Sequence, residues 1–373
     1  MSDKPSTPDP ATGEGHNTRR SSLKSASTPA TPERPSVTFA NPLQPQSPGS
    51  VGSAKSGASN VTYKSRIYPV ELEMRGIIES KDSPPWLDRM TKVLERRKGT
   101  TALHADTIAS FLECLRVPGN EATIQTVVVP PLMKLAVIMT NPSTHAAVEA
   151  QFVSECRLPL PSSDAQGISI KNIPPPYPDI TVGLRRENFY RYKLALYDLG
   201  DVAAPISCTT DMLFPCFTLE VKGDVGYTDA QHQNRHNAAV MLFHLRQLST
   251  RARGEEVTRQ SFDNAARVLS AIVSQGSITI SAHWTTSSQG SDNISFLSHL
   301  LKSIDTSVLT HEQWNEVSRW LQNAVNFVVK ETQEQLERDL RSINDEILKR
   351  GEQTTSSTSA SSTRKRRREE IED

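Results

Sequence analysis

The sequence predicts an α/β fold in which short alternating strands share one sheet with amphipathic helices. Two stretches, 177–183 and 217–222, alternate apolar and polar residues with the two-residue period of a half-buried strand. Helical spacing follows them, most clearly in Ala238, Met241, Leu242, Leu245 and Leu248. A third alternating run at 278–284 comes next, so strands and helices interleave along the chain.

Composition sets how much of the 373-residue chain can fold. Residues 1–60 are dense in Ser, Thr, Pro and Gly, with isolated apolar side chains such as Leu23, Phe39 and Leu43. These are too few to offset backbone ordering, so a disordered arm is expected. Its Thr7-Pro8, Thr28-Pro29, Thr31-Pro32 and Ser47-Pro48 pairs suit phosphorylation. Residues 351–373 are a Ser/Thr run, then Arg364-Lys365-Arg366-Arg367-Arg368, then acids, and read as a second disordered tail. The basic cluster has the form of a nuclear import signal, so a nuclear location is expected. One domain over 61–350 remains, with its motif core at about 140–285.

Lys plus Arg and Asp plus Glu both number 42, giving zero formal net charge. Bulk charge therefore does not attract nucleic acid, and any such binding must be local. Cys114, Cys156, Cys208 and Cys216 form no C-x-x-C pair, and neither a signal peptide nor a long apolar span is found. Reduced cysteines in a soluble intracellular protein without a membrane segment are expected. No G-x-x-x-x-G-K-[ST] or G-x-S-x-G is present, which argues against P-loop and α/β-hydrolase chemistry.

Helices are expected at 86–97, closed by Gly99, and at 103–116, ended by Pro118-Gly119. Ser143 reads as the N-cap of a helix to about Cys156, with Val148 and Phe152 one turn apart and Glu149 beside them. The two motif strands follow, then a helix opened by Asp229 whose apolar stripe becomes polar at Asn234 and Gln231. A helix around 262–274 precedes the strand at 278–284. Thr310 and Gln313 have the spacing of a capping box before a helix at 314–350, ending at Gly351. Trp314, Val317, Leu321, Ala324 and Val328 form one stripe on it; Leu336, Leu340, Ile343 and Ile347 form another. These stripes suit packing on the domain's own helices, or else self-association.

Pairing 177–183 antiparallel to 217–222 would place Asp179 and Glu220 on one sheet face, with Lys222 two residues from Glu220. Hard carboxylate oxygens suit Mg²⁺ or Mn²⁺, and with an ammonium nearby they point to phosphodiester hydrolysis. Arg185, Arg186, Arg191 and Lys193 follow the Asp strand; they could grip phosphates or belong to a solvated loop. His232 and His236 are one helical turn apart but lack the Glu of an H-E-x-x-H site, so zinc is not expected.

Pro178-Asp179 followed by Glu220-Val221-Lys222 resembles the signature of the PD-(D/E)XK, restriction-endonuclease-like superfamily. The wider wording resembles the fungal PD-(D/E)XK nuclease-like domain proteins: Pro178-Asp179-Ile180-Thr181-Val182-Gly183-Leu184, Leu219-Glu220-Val221-Lys222-Gly223-Asp224 and Gln233-Asn234-Arg235-His236-Asn237. The resemblance covers residues 70 to 345 in rough extent. It implies an αβββαβ core with extra N-terminal helices and the long C-terminal helix.

It further implies Asp179, Glu220 and the Val221 carbonyl as metal ligands and Lys222 as the catalytic lysine. An acid from the first core helix would be Glu149, or alternatively Glu155, and Gln231 and Asn234 would supply polar groups from the later helix. The stretch from Leu184 to Pro215 is longer than the family's usual hairpin, which puts the strand pairing in question. The function implied is a metal-dependent nuclease acting on DNA or RNA. The alternative is a non-catalytic nucleic-acid-binding or scaffold protein that keeps the architecture.

Overall fold

The computed structural model describes residues 61–97, 102–117, 121–152, 173–200, 211–287 and 293–369. The arm at 1–60, Glu155, Cys156 and Cys208 lie outside the described residues. In chain order the strands are β1 (Ile77–Glu79), β2 (Thr144–Val148), β3 (Ile180–Arg185), β4 (Met212–Lys222), β5 (Val268–Ser274), β6 (Ser277–Ser287) and β7 (Ile294–Asp305). They form one mixed sheet in the order β1-β7-β6-β5-β4-β3-β2. The β1–β7 and β4–β5 pairs are parallel and the others antiparallel.

The helices are α1 (Tyr68–Met74), α2 (Leu87–Leu94), α3 (Ala105–Leu115), α4 (Glu121–Thr123), α5 (Val129–Met133), α6 (Leu135–Thr140), α7 (Lys193–Leu199), α8 (Tyr227–Arg253), α9 (Glu255–Ser261) and α10 (His311–Glu369). Between α4 and α5 the backbone makes a π turn over Ile124–Val128, in which the Val129 N–H reaches back five residues to the Ile124 carbonyl. Pro130 and Pro131 follow immediately and supply no N–H, so the hydrogen-bond ladder shifts where they enter.

Alternation gives the sheet two faces. On β4, Thr218 and Glu220 meet Asn234 and Asn237 of α8. The opposite face, which carries Phe217, Leu219 and Val221, is covered by α2 and α10. Trp86, at the N-cap of α2, stacks edge-on against Trp284 of β6 at 5.1 Å, and Lys302 of β7 lies 5.1 Å over the Trp320 ring of α10. Trp314, Val317, Leu321, Ala324, Val328, Leu336, Leu340 and Ile343 are fully buried, so the apolar stripe of α10 is taken up by the domain's own core. The capping box is present, with the Thr310 N–H donating to Gln313 Oε1 at 2.8 Å and the Gln313 N–H to Thr310 Oγ1 at 3.4 Å.

Several local expectations are corrected. Residues 144–148 are not the start of a helix but the edge strand β2, paired antiparallel with β3. Thr144 and Ala146 are buried and their neighbours half-exposed, a period of two that small side chains make hard to see. The helix expected at 262–274 is replaced by α9 ending at Ser261 and by β5, all of whose residues are buried. A central strand covered on both faces has no polar alternation to mark it. α10 runs past Gly351 to Glu369. A glycine inside a helix costs only about 1 kcal/mol relative to alanine, and it stops a helix only where it takes a left-handed cap.

The long connection before β4 is partly absorbed by a longer strand, by a 3₁₀ segment over Arg186–Tyr192 and by α7. The β3–β4 register slips between Val182 and Leu184, where Phe214 on β4 has φ +47°. Gly183 is required there: a Cβ on it would lie 2.7 Å from Met212 Cγ.

Candidate active site

The register that pairs Ile180 with Leu219 brings the residue before β3, Asp179, opposite Glu220. Pro178 has no N–H to offer, and the Asp179 carboxylate instead receives one: the Val221 N–H donates to its Oδ2 at 2.6 Å. From the other side, the Glu149 N–H donates to the Asp179 carbonyl at 2.8 Å. Glu149 makes that bond from just beyond β2, in a left-handed conformation with φ +49°. It is therefore a strand-end residue and not the helix acid expected. Its carboxylate still lies within electrostatic reach of Asp179 and accepts from Gln125 Nε2 at 3.2 Å.

Glu220 is 2 % exposed. Its Oε1 accepts from Asn237 Nδ2 at 2.7 Å, and its Oε2 lies 3.7 Å from Lys222 Nζ. The same ammonium lies 3.5 Å from Oε1 of Glu121, the first residue of α4. Burial, then the neighbouring Asp179 charge, pushes Glu220 up to about 8, against the opposing pull of Lys222 and Asn237. Burial also raises Asp179; the Val221 N–H and Lys222 oppose the rise, and Glu121 and Glu149 add to it. Lys222 thus lies beside Glu220 and Glu121 and acts on Asp179, so among the described residues acids outnumber the ammonium at this point. Among the described residues, no three His, Cys, Asp or Glu side chains converge as a ready metal cage.

The structure brings together Asp179, Glu220, Lys222 and the Val221 backbone, with Glu149 at the margin. It does not bring Gln231 or Asn234 to the carboxylates. Asn234 is buried, donating to the Ala271 carbonyl at 2.8 Å and accepting from Thr218 Oγ1 at 3.4 Å. Gln231 lines a separate polar cavity of about 30 Å³ with Arg235, Ser270 and His283. The helix amide that does reach Glu220 is Asn237, one turn beyond Asn234. The other residue missed is Glu121, whose signal was the sequence Gly119-Asn120-Glu121, a capping residue followed by an acid in the first turn.

Of the four basic residues from the end of β3 onward, two are engaged elsewhere. Arg185 donates to the Met139 carbonyl at 2.6 Å and the Thr144 carbonyl at 2.7 Å, securing the turn from α6 into β2. Arg191 pairs with Glu337 at 3.3 Å, and Lys193 is exposed. His236 is buried, with Nδ1 2.9 Å from the Tyr68 hydroxyl, whereas His232 lines a different cleft with Glu73 and Arg235. Cys114 and Cys216 are buried free thiols.

Residues 118–340 match the family described as a domain of unknown function (DUF7924), and the chain belongs to that family. The span contains Glu121, Glu149, Asp179, Glu220, Lys222 and Asn237; Tyr63 and Tyr68 come before it. No curated protein matches the chain. Among the described residues, no helix is long and apolar enough to cross a membrane.

Proposed function

We propose that this protein is a metal-dependent nuclease that hydrolyses phosphodiester bonds of DNA or RNA, on a PD-(D/E)XK-type core. The observation that carries the reading is the Asp179–Glu220 pair across β3 and β4, with the Val221 N–H on one acid and Lys222 Nζ 3.7 Å from the other. The element order supports it: with α7 inserted between β3 and β4 and α9 before β5, the helical segment over 121–140, β2, β3, β4, α8 and β5 follow an αβββαβ order, and the motif strands pair antiparallel.

The donor set fits Mg²⁺ or Mn²⁺, since hard dications take one or two carboxylates and otherwise keep water or phosphate oxygens. Asp179, raised by burial and by Glu121 and Glu149, and Glu220, raised by burial and by Asp179, are short of a positive charge, which such an ion provides. Bound there, it would polarise a phosphoryl oxygen and acidify an attacking water. The chain's own residues do the rest. The Val221 amide fixes the Asp179 carboxylate, Asn237 turns Glu220 so that its second oxygen faces Lys222, and Lys222 offers its charge to the developing phosphorane.

A non-catalytic scaffold is the second reading, favoured by the zero formal net charge and the long C-terminal helix. One panel separates the two: single- and double-stranded DNA and RNA, each with Mg²⁺, Mn²⁺ or Ca²⁺. The nuclease reading expects cleavage with Mg²⁺ or Mn²⁺, failure with Ca²⁺, and loss of cleavage in Asp179→Asn, Glu220→Gln and Lys222→Ala. Without metal, the two acid variants should bind nucleic acid at least as well as wild type. No cleavage of any substrate, together with no carboxylate-dependent metal binding by calorimetry, gives the scaffold its place.

A further inference from the structure

The segment that leads into Asp179 is Ile173-Pro174-Pro175-Pro176-Tyr177-Pro178. Four of these residues are prolines without an N–H, so the segment can be held mainly through its carbonyls. Three such anchors are present around Asp179. The Phe152 N–H donates to the Pro176 carbonyl at 2.9 Å and the Glu149 N–H to the Asp179 carbonyl at 2.8 Å, both from the chain just after β2. The third is a side chain from far away in sequence: the Tyr63 hydroxyl donates to the Pro175 carbonyl.

Tyr63 does not end there. Its ring meets Tyr68 edge-on at 5.2 Å, and the Tyr68 hydroxyl bonds His236 Nδ1 at 2.9 Å. Tyr68 and His236 are both buried, and His236 on α8 directly precedes Asn237, which holds Glu220. The Glu220 charge, second to burial, raises the Tyr63 phenol, which places that ring within electrostatic reach of the acid pair.

We propose that Tyr63 and Tyr68 are positioning residues: an aromatic clasp, supplied by the chain ahead of the family span, that ties the Asp179 segment to the helix orienting Glu220. What the two acids do rests on the nuclease reading; the clasp itself does not. Edge-to-face aromatic pairs and a buried hydroxyl–imidazole bond favour one geometry over a range of them. The β3–β4 register sets Asp179 opposite Glu220, and the clasp steadies the segment before β3 against the helix that orients Glu220.

The test uses the full chain and Tyr63→Phe, which keeps the ring and removes only the hydroxyl. Two quantities are read: hydrogen exchange resolved to the Val221 amide and to residues 173–180, and Mn²⁺ affinity by calorimetry. Loss of one hydrogen bond should speed exchange at those positions about fivefold and weaken Mn²⁺ by a similar factor, with β5 and β6 unchanged. In an Asp179→Asn background the same substitution should add no further loss of Mn²⁺ affinity, because the hydroxyl acts through Asp179. Tyr68→Phe, which releases His236, should show the same local signature. Unchanged exchange and affinity in both variants would overturn the clasp, as would faster exchange spread evenly over β5 and β6. If the wild type binds no Mn²⁺, the nuclease reading fails and exchange alone decides the clasp.

Discussion

Asn237 Nδ2 donates to Glu220 Oε1 at 2.7 Å, and both side chains are almost wholly buried. The bond links the helix after the Glu-x-Lys strand to the strand itself and leaves the other Glu220 oxygen for Lys222. Asn237→Ala would strand a buried carboxyl oxygen, so we expect a loss of about 1–3 kcal/mol in urea denaturation. Asn237→Asp should be worse at neutral pH than at pH 4, because it sets a third acid against the pair. A neutral outcome for both would mean that Glu220 finds another donor.

The Glu220 shift makes stability depend on pH. Its folded value of about 8 lies above the ordinary carboxylate range, so the folded state holds the proton more tightly than the unfolded chain. This contribution is fully present below the unfolded value and is lost as pH rises through about 8. Asp179 is shifted in the same direction, by burial first, and adds to the same trend. Melting temperature in metal-free buffer should therefore fall between roughly pH 5 and 8. Glu220→Gln should flatten most of that slope, and Mn²⁺ should oppose it in the wild type. A slope unchanged in the Gln variant would assign it to other groups.

How much of this site could be read from sequence depended on contrast between neighbouring residues. The β3 and β4 stretches alternate apolar and polar residues, and on β4 the polar side meets Asn234 and Asn237 of α8, so Asp179, Glu220 and Lys222 stood out. β2 did not, since Thr144, His145, Ala146 and Ala147 are two polar residues followed by two apolar ones, with no alternation, and Ser143 imitates a helix cap. That one error moved the expected helix acid to Glu149 and hid Glu121. Lys222 meets Glu121 across 101 residues of chain, a contact that no local pattern announces. Tyr63 was invisible for the same reason, lying 112 residues from the carbonyl it holds.

From sequence Arg185 could grip phosphate or belong to a solvated loop, and its guanidinium is instead spent on the carbonyls at 139 and 144. Arg185→Ala should cost about 1–3 kcal/mol of stability by leaving a helix-end carbonyl at 139 and a strand carbonyl at 144 without this donor. It should leave the salt dependence of nucleic-acid binding unchanged, because a phosphate contact contributes about one unit to that slope. A reduced slope would return Arg185 to the binding surface.

Glu121 offers the most discriminating substitution. Its carboxylate is 47 % exposed and shares Lys222 with the buried Glu220, so it stands at the open side of the site. Glu121→Gln frees the ammonium from one partner and removes one negative charge that substrate must approach. Without metal, nucleic-acid affinity should rise a few-fold, with a steeper salt dependence than wild type. With Mn²⁺, cleavage should fall, because a negative charge that favours the cation at the open side of the site is lost, but less than in Glu220→Gln, which removes a carboxylate of the pair itself. Stability should stay within about 0.5 kcal/mol of wild type, as for surface substitutions generally. Affinity and cleavage rising together would show that Glu121 acts only as a competitor for Lys222, and would leave the cation to Asp179 and Glu220 alone.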